Sequence, residues 1–175
     1  VHPAPAKLRI LFLGGTSFLG PATVEVALAR GHTVTLFNRG KTHPELFPAA
    51  EKLRGDRNKG ELDALKGRDF DAVVDLSGYV PGHVAATAAL LADHARQYVF
   101  ISSVSVYPGF GEASETVHEQ SPLATVAPDV LAAVKTMRES IPHYGGMKAR
   151  CEKAAEEAMP GRVANIRPGL IVGPG

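Results

Sequence analysis

Tyr144 and Lys148 stand four residues apart in the run Tyr-Gly-Gly-Met-Lys. On a helix that spacing puts both side chains on one face. A phenol is a poor base at neutral pH, with an ordinary pKa of ~10. An ammonium beside it favours the phenolate, so the pair has the makings of a proton-transfer group. A second run, Leu13 to Gly20 (LGGTSFLG), offers different chemistry. Exposed N–H groups and the dipole at the start of a helix favour a phosphate there.

These residues need elements to hold them. Leu8 to Leu13 is a short run, apolar on both faces, as a central parallel strand requires. Helical spacing follows from Phe18 to Arg30, with Gly31 as its stop. Thr33–Phe37, Asp71–Leu76, Tyr98–Ile101 and Val163–Ile166 read as further strands, with a weaker one at Lys52–Arg54. Val84 to Ala95 and Tyr144 to Met159 read as helices, and a short helix is expected near Asp129 to Met137. Strands alternating with helices predict an α/β domain, a doubly wound parallel sheet of the Rossmann type.

On that fold the glycine run opens the first crossover, where a dinucleotide pyrophosphate belongs. Gly14 serves the turn out of the strand, and Gly20 lets the helix pack closely. Thr16, Ser17, Phe18 and Leu19 complete the loop, and Ser17 narrows the backbone approach. The second strand ends in Phe37-Asn38-Arg39-Gly40-Lys41. No acid is present to hold the ribose hydroxyls, and Arg39, with Lys41, can pair with a 2′-phosphate. NADP is therefore favoured over NAD. Asp56 and Arg57 are placed beside the adenine, and Asp75, Leu76, Ser77 and Gly78 beside the pyrophosphate.

Four motifs in order resemble the extended short-chain dehydrogenase/reductase group, the NAD-dependent epimerases and dehydratases. They are Gly14 to Gly20, Ser102 to Tyr107, Tyr144 to Lys148, and Arg167-Pro168-Gly169 followed by Gly173-Pro174. The resemblance covers residues 8–175. It implies that Tyr144 is the acid/base for a substrate hydroxyl or keto group. It also implies that Ser103, four before Tyr107, bonds the reacting oxygen, and that Lys148 holds the nicotinamide ribose. Pro168 is taken with the cofactor-binding positions. Many nucleotide-sugar enzymes of the group carry an asparagine where this chain has Leu170, so such a substrate is not implied. The group usually continues into a C-terminal substrate domain, which this chain is expected largely to lack. Its helix pairs often form dimers, making helices 84–95 and 144–159 candidates for a homodimer. Some relatives with a similar Gly-Gly-Thr-x-Phe loop are chloroplast RNA-binding proteins. A non-catalytic NAD(P)-binding or RNA-binding protein is therefore the alternative.

Bulk composition narrows the classes. Formal charge is +1 and the cations are scattered among acids, so no nucleic-acid partner is expected. No apolar run reaches the ~18 residues of a membrane span. The single cysteine, Cys151, cannot form an internal disulfide and is read as a packed thiol. The seven histidines lack metal-ligand spacing, so no metal is expected. Residues 1–7 read as a Pro/Ala-rich flexible leader before the domain at 8–175. A cytoplasmic location is expected, with export after signal-peptide removal as the alternative.

Overall fold

The structure is a computed structural model that describes residues 6–110 and 116–173. Most of the expected leader, Gly111 of the long loop and Pro174 of the last motif lie outside the described residues.

Six parallel strands form one sheet in the order β3-β2-β1-β4-β5-β6. They are β1 (Arg9–Leu13), β2 (Thr33–Asn38), β3 (Glu51–Arg54), β4 (Phe70–Asp75), β5 (Ala95–Ile101) and β6 (Val163–Ile166). The central strand is buried on both faces because helices cover both. Leu11 and Leu13 point into one core with Tyr98, Phe100, Cys151 and Ala155. Ile10 and Phe12 point the other way, onto Val24, Val34 and Leu36. That alternation is the two-residue period of a strand. Helix α1 (Leu19–Ala29) covers the second face, while α2 (Pro81–Leu91) and α5 (Tyr144–Ala158) pack together on the first. The short helices α3 (Pro128–Ala133) and α4 (Met137–Ser140) precede α5. β2 and β3 are joined by a loop without a helix.

Two expectations are corrected. The helix read as Val84–Ala95 spans Pro81–Leu91, and Ala95 instead opens β5, paired with Phe70. The remote side chain of Arg162 donates to the carbonyls of Ala92 (2.7 Å) and Ala95 (3.0 Å), which holds the chain open there. Sheet pairing overrides the helical preference of an alanine-rich stretch. The single helix expected near Asp129–Met137 is two, because Thr136 and Glu139 form a capping box that starts α4 afresh.

β1 and β4 are neighbours although α1, β2 and β3 lie between them in sequence. The strand order reverses at this point, and ligands of open α/β sheets bind outside the strand ends there. No described helix is long and apolar enough to cross a membrane.

Candidate active site

A cleft of about 680 Å³ runs across the C-terminal strand ends from the glycine loop to α5. Its floor is the turn out of β1, where Gly14 (φ 107°) and Gly15 (φ 95°) adopt a backbone that side chains rarely take. A Cβ on Gly20 would lie 2.6 Å from the carbonyl carbon of Gly15. Gly20 is thus required by the loop's own backbone, whereas Gly15 faces Leu36, Val24 and Phe12. No side chain caps the N-terminus of α1, and its first turn holds no acid. The Gly20 N–H donates to the Ser17 carbonyl (2.9 Å), and the helix dipole favours an anion at this end. Thr16, Ser17, Phe18 and Leu19 line the same wall. Phe18 sits at positive φ (52°) with its ring exposed.

At the β2 end the cleft meets Asn38, Arg39 and Lys41. Asn38 acts as a brace: its amide donates to the carbonyl of Gly14 (3.1 Å) and its oxygen accepts from the N–H of Gly40 (2.9 Å). Among the described residues neither Arg39 nor Lys41 makes an ion pair or side-chain hydrogen bond. Both also border a smaller recess lined by Arg54, Lys59, Asp56 and Glu61. Asp56 lines the cleft and caps the next turn by accepting from the N–H of Asn58. Arg57 reaches the wall, but its guanidinium turns inward, donating to both oxygens of Asp75 at 2.9 Å. The buried acid thus fixes the guanidinium at the cleft wall. Leu76 and Ser77 line the cleft and Gly78 does not. A Cβ on Gly78 would lie 2.4 Å from the ring of Phe100, so this residue packs into the core.

The far end brings Ser103, Tyr144, Lys148 and Pro168 to the same cleft. Lys148 is only 3% exposed. Its ammonium donates to the carbonyls of Gly78 (2.8 Å) and Ile101 (2.6 Å), tying together the ends of β4 and β5. Burial pushes its pKa down to about 8, against the pull of Cys151, Asp75 and Glu152. The Ser103 hydroxyl lies 3.1 Å from that of Ser105 and accepts from the Ser105 N–H. Ser102 also borders the cleft, and both serines lie past the end of β5 where strand alternation stops. Its hydroxyl is buried without a partner among the described residues. Burial pushes the Cys151 thiol up to about 12, as expected of a packed cysteine.

The two glycines after Tyr144 let α5 start against other backbone. A Cβ on Gly145 would lie 2.1 Å from the Ser105 carbonyl oxygen, and one on Gly146 would lie 2.6 Å from that of Thr125. Gly145→Ala should therefore cost about 1–3 kcal/mol of stability by overpacking, read as a lowered urea midpoint. An unchanged midpoint would mean that α5 starts with room to spare.

Sequence reasoning missed two parts of this site, Tyr79 and Glu152, and did not see that Asp75 would be buried. Tyr79 lines the cleft with its ring centroid 6.4 Å from that of Tyr144. Asp75, fully buried, accepts from Arg57, from the Tyr98 hydroxyl (2.7 Å) and from the Ser77 N–H. Glu152, also buried, holds Arg167, which in turn donates to the Tyr107 hydroxyl and to the Glu119 carbonyl. An acid set inside the apolar run DAVVDL, at Asp75, was the one available signal, since a buried carboxylate demands a partner.

Comparison with known proteins fits this geometry. The chain is 29% identical to the chloroplast stem-loop binding protein of 41 kDa b from Arabidopsis thaliana, over 59% of this chain and 31% of that one. A solved UDP-galactose 4-epimerase superposes with a TM-score of 0.68 at 19% identity, covering 91% of this chain and 55% of that one. A short-chain dehydrogenase/reductase superfamily protein from Agrobacterium tumefaciens, solved with bound NAD, gives 0.64 at 22%, covering 91% and 48%. This chain thus spans about half the length of these solved structures. The model of the NAD dependent epimerase/dehydratase family matches residues 10–175, and the chain belongs to that family.

Proposed function

We propose that the cleft binds NADP(H) and that Tyr144 moves a proton to or from a hydroxyl or keto oxygen of a small, sugar-like or carbonyl substrate. The carrying observation is that one cleft joins the uncapped start of α1 to Ser103, Tyr144 and Lys148. The residues fit such a cofactor. The α1 N-terminus would take the pyrophosphate, Arg39 and Lys41 the 2′-phosphate, and Lys148 the nicotinamide ribose. Bound there, the nicotinamide would supply or accept hydride. The chain's own groups do the rest. Lys148 provides positive charge beside the proton-transfer site, and Ser103 offers a hydroxyl to the reacting oxygen. The cycle is either a net reduction or the transient oxidation of an epimerase or dehydratase. A homodimer through α2 and α5 belongs to the same proposal, as does a cytoplasmic location.

NADPH and NADH titrations followed by nicotinamide fluorescence test the cofactor assignment. NADPH should bind more tightly, and the double change Arg39→Ser and Lys41→Ser should weaken it by about tenfold or more while sparing NADH. Equal binding of both cofactors would remove the 2′-phosphate assignment, and binding of neither would remove the reading itself. The likeness to a stem-loop binding protein favours a second reading, RNA binding on the same fold. RNA retention at physiological salt without cofactor uptake would support that one instead.

A further inference from the structure

Lys148 is unusual in where its charge rests. Its ammonium has two backbone carbonyls as acceptors, and no other oxygen accepts from it among the described residues. The titratable groups around it are the neutral thiol of Cys151 and the carboxylate of Glu152 from its own helix, Asp75 from β4 and Arg57 from the turn after β3. Both acids already hold an arginine: Asp75 pairs with Arg57 at 2.9 Å and Glu152 with Arg167 at 2.6 Å. Little net negative charge remains to balance the ammonium. What does contact it is aromatic. The Phe100 ring centroid lies 4.1 Å from Nζ and that of Tyr79 lies 5.3 Å away. Both fall within the range in which a ring face attracts a cation, and the attraction grows when water is excluded.

The two rings are not equivalent. Phe100 is fully buried on β5, whereas Tyr79 is half-buried in the loop after β4, where it lines the cleft and leans on the ring of Tyr144. Tyr79 is therefore the ring that meets both members of the Tyr144/Lys148 pair. We propose that Tyr79 is a positioning residue for this pair, its ring face holding the Lys148 ammonium from the cleft side while the same ring supports Tyr144. The contacts stand independently of any reaction; their consequence for proton transfer rests on the dehydrogenase-type reading above.

The test is the titration of the Lys148 ammonium by ¹⁵N NMR in the lysine-labelled chain, its signal assigned through Lys148→Met. Tyr79→Leu should lower the midpoint by about half a pH unit or more, because the ring face is lost. Tyr79→Phe keeps the face and should leave the midpoint unchanged. An unchanged midpoint in Tyr79→Leu would overturn the proposal. So would an equal fall in both variants, which would assign the effect to the hydroxyl. Tyr79→Phe changes one hydroxyl at the cleft edge, so it keeps the comparison usable even where the leucine variant folds poorly. The titration needs no cofactor and decides the role of Tyr79 on its own. Absence of NADPH binding in the unaltered chain would count only against the cofactor reading.

Discussion

Changing Tyr144 to Phe is expected to slow carbonyl-dependent oxidation of NADPH by roughly 100- to 10,000-fold, the usual worth of a positioned acid/base. NADPH binding should survive, because the phosphate contacts lie at the other end of the cleft. The substitution removes one hydroxyl and leaves the ring that packs near Tyr79. Steady-state rates over a panel of aldehydes and ketones, set beside a fluorescence titration, separate the two effects. Undiminished turnover in Tyr144→Phe would remove Tyr144 from the mechanism. The pH profile adds a second check through Lys148, whose pKa burial pushes down to about 8. Activity that needs the ammonium should therefore decline as pH rises through about 8. Stability should move the other way. The unfolded chain holds that proton up to about the ordinary lysine value near 10.5, so folding gains from this group as pH rises between the two. Activity and stability that fell together between pH 8 and about 9, below the range where the raised values of Cys151 and Tyr98 work against folding, would contradict this account.

Particular residues show what was legible in the sequence. Leu8 to Leu13 was readable because a central parallel strand must be apolar on both faces, and Leu11 and Phe12 do point into opposite cores. The glycine loop was readable because its spacing is tied to one turn of backbone, seen in the positive φ of Gly14 and Gly15. Val163–Ile166 was bounded correctly, whereas the end of α2 was not, because it depends on Arg162, 70 residues from Ala92. The same kind of distance hid the rest of the site. Arg57 was placed by its position after β3, and its tie to Asp75 follows only from the sheet bringing the ends of β3 and β4 together. Gly78 reads as a cofactor glycine, yet the ring of Phe100 on the next strand is what excludes a side chain. Tyr79 sits in a loop with no periodicity to mark it. Its importance follows from α5 folding back over β4 and β5, which places Lys148 beneath it. Local turn chemistry and strand patterning survive in a single sequence; partners chosen by topology do not.

Asp75→Ala is expected to destabilise the chain by about 3–5 kcal/mol, because it leaves the Arg57 guanidinium buried without its carboxylate. For a domain of this size that is a fall in Tm of about 10 °C. Asp75 is fully buried and the Arg57 side chain is 10% exposed, so water cannot replace the lost partner. Arg57 would keep only the His83 carbonyl and the Ser77 hydroxyl, at 3.2 and 3.3 Å. Tyr98 would lose the acceptor of its hydroxyl as well. The double change Arg57→Met with Asp75→Asn should recover a large part of the loss. A neutral, similarly sized pair avoids the buried charge; the Asn oxygen can still accept from the Ser77 N–H, while its amide NH2, in place of the second carboxylate oxygen, can donate to the Tyr98 hydroxyl. Burial raises the Asp75 pKa, but the charge and hydrogen bonds of Arg57, with those of Tyr98 and Ser77, outweigh it and hold it below the usual carboxylate range. The depressed value means that this stabilisation is complete above the ordinary aspartate pKa of ~3.9 and is lost as pH falls below it. Thermal melts from pH 7 down to pH 3 should therefore show the unaltered chain losing stability more steeply than the Met/Asn double variant. Parallel melting curves, or an Asp75→Ala variant as stable as the parent, would mean that the buried pair does not hold the loop after β3 to the sheet.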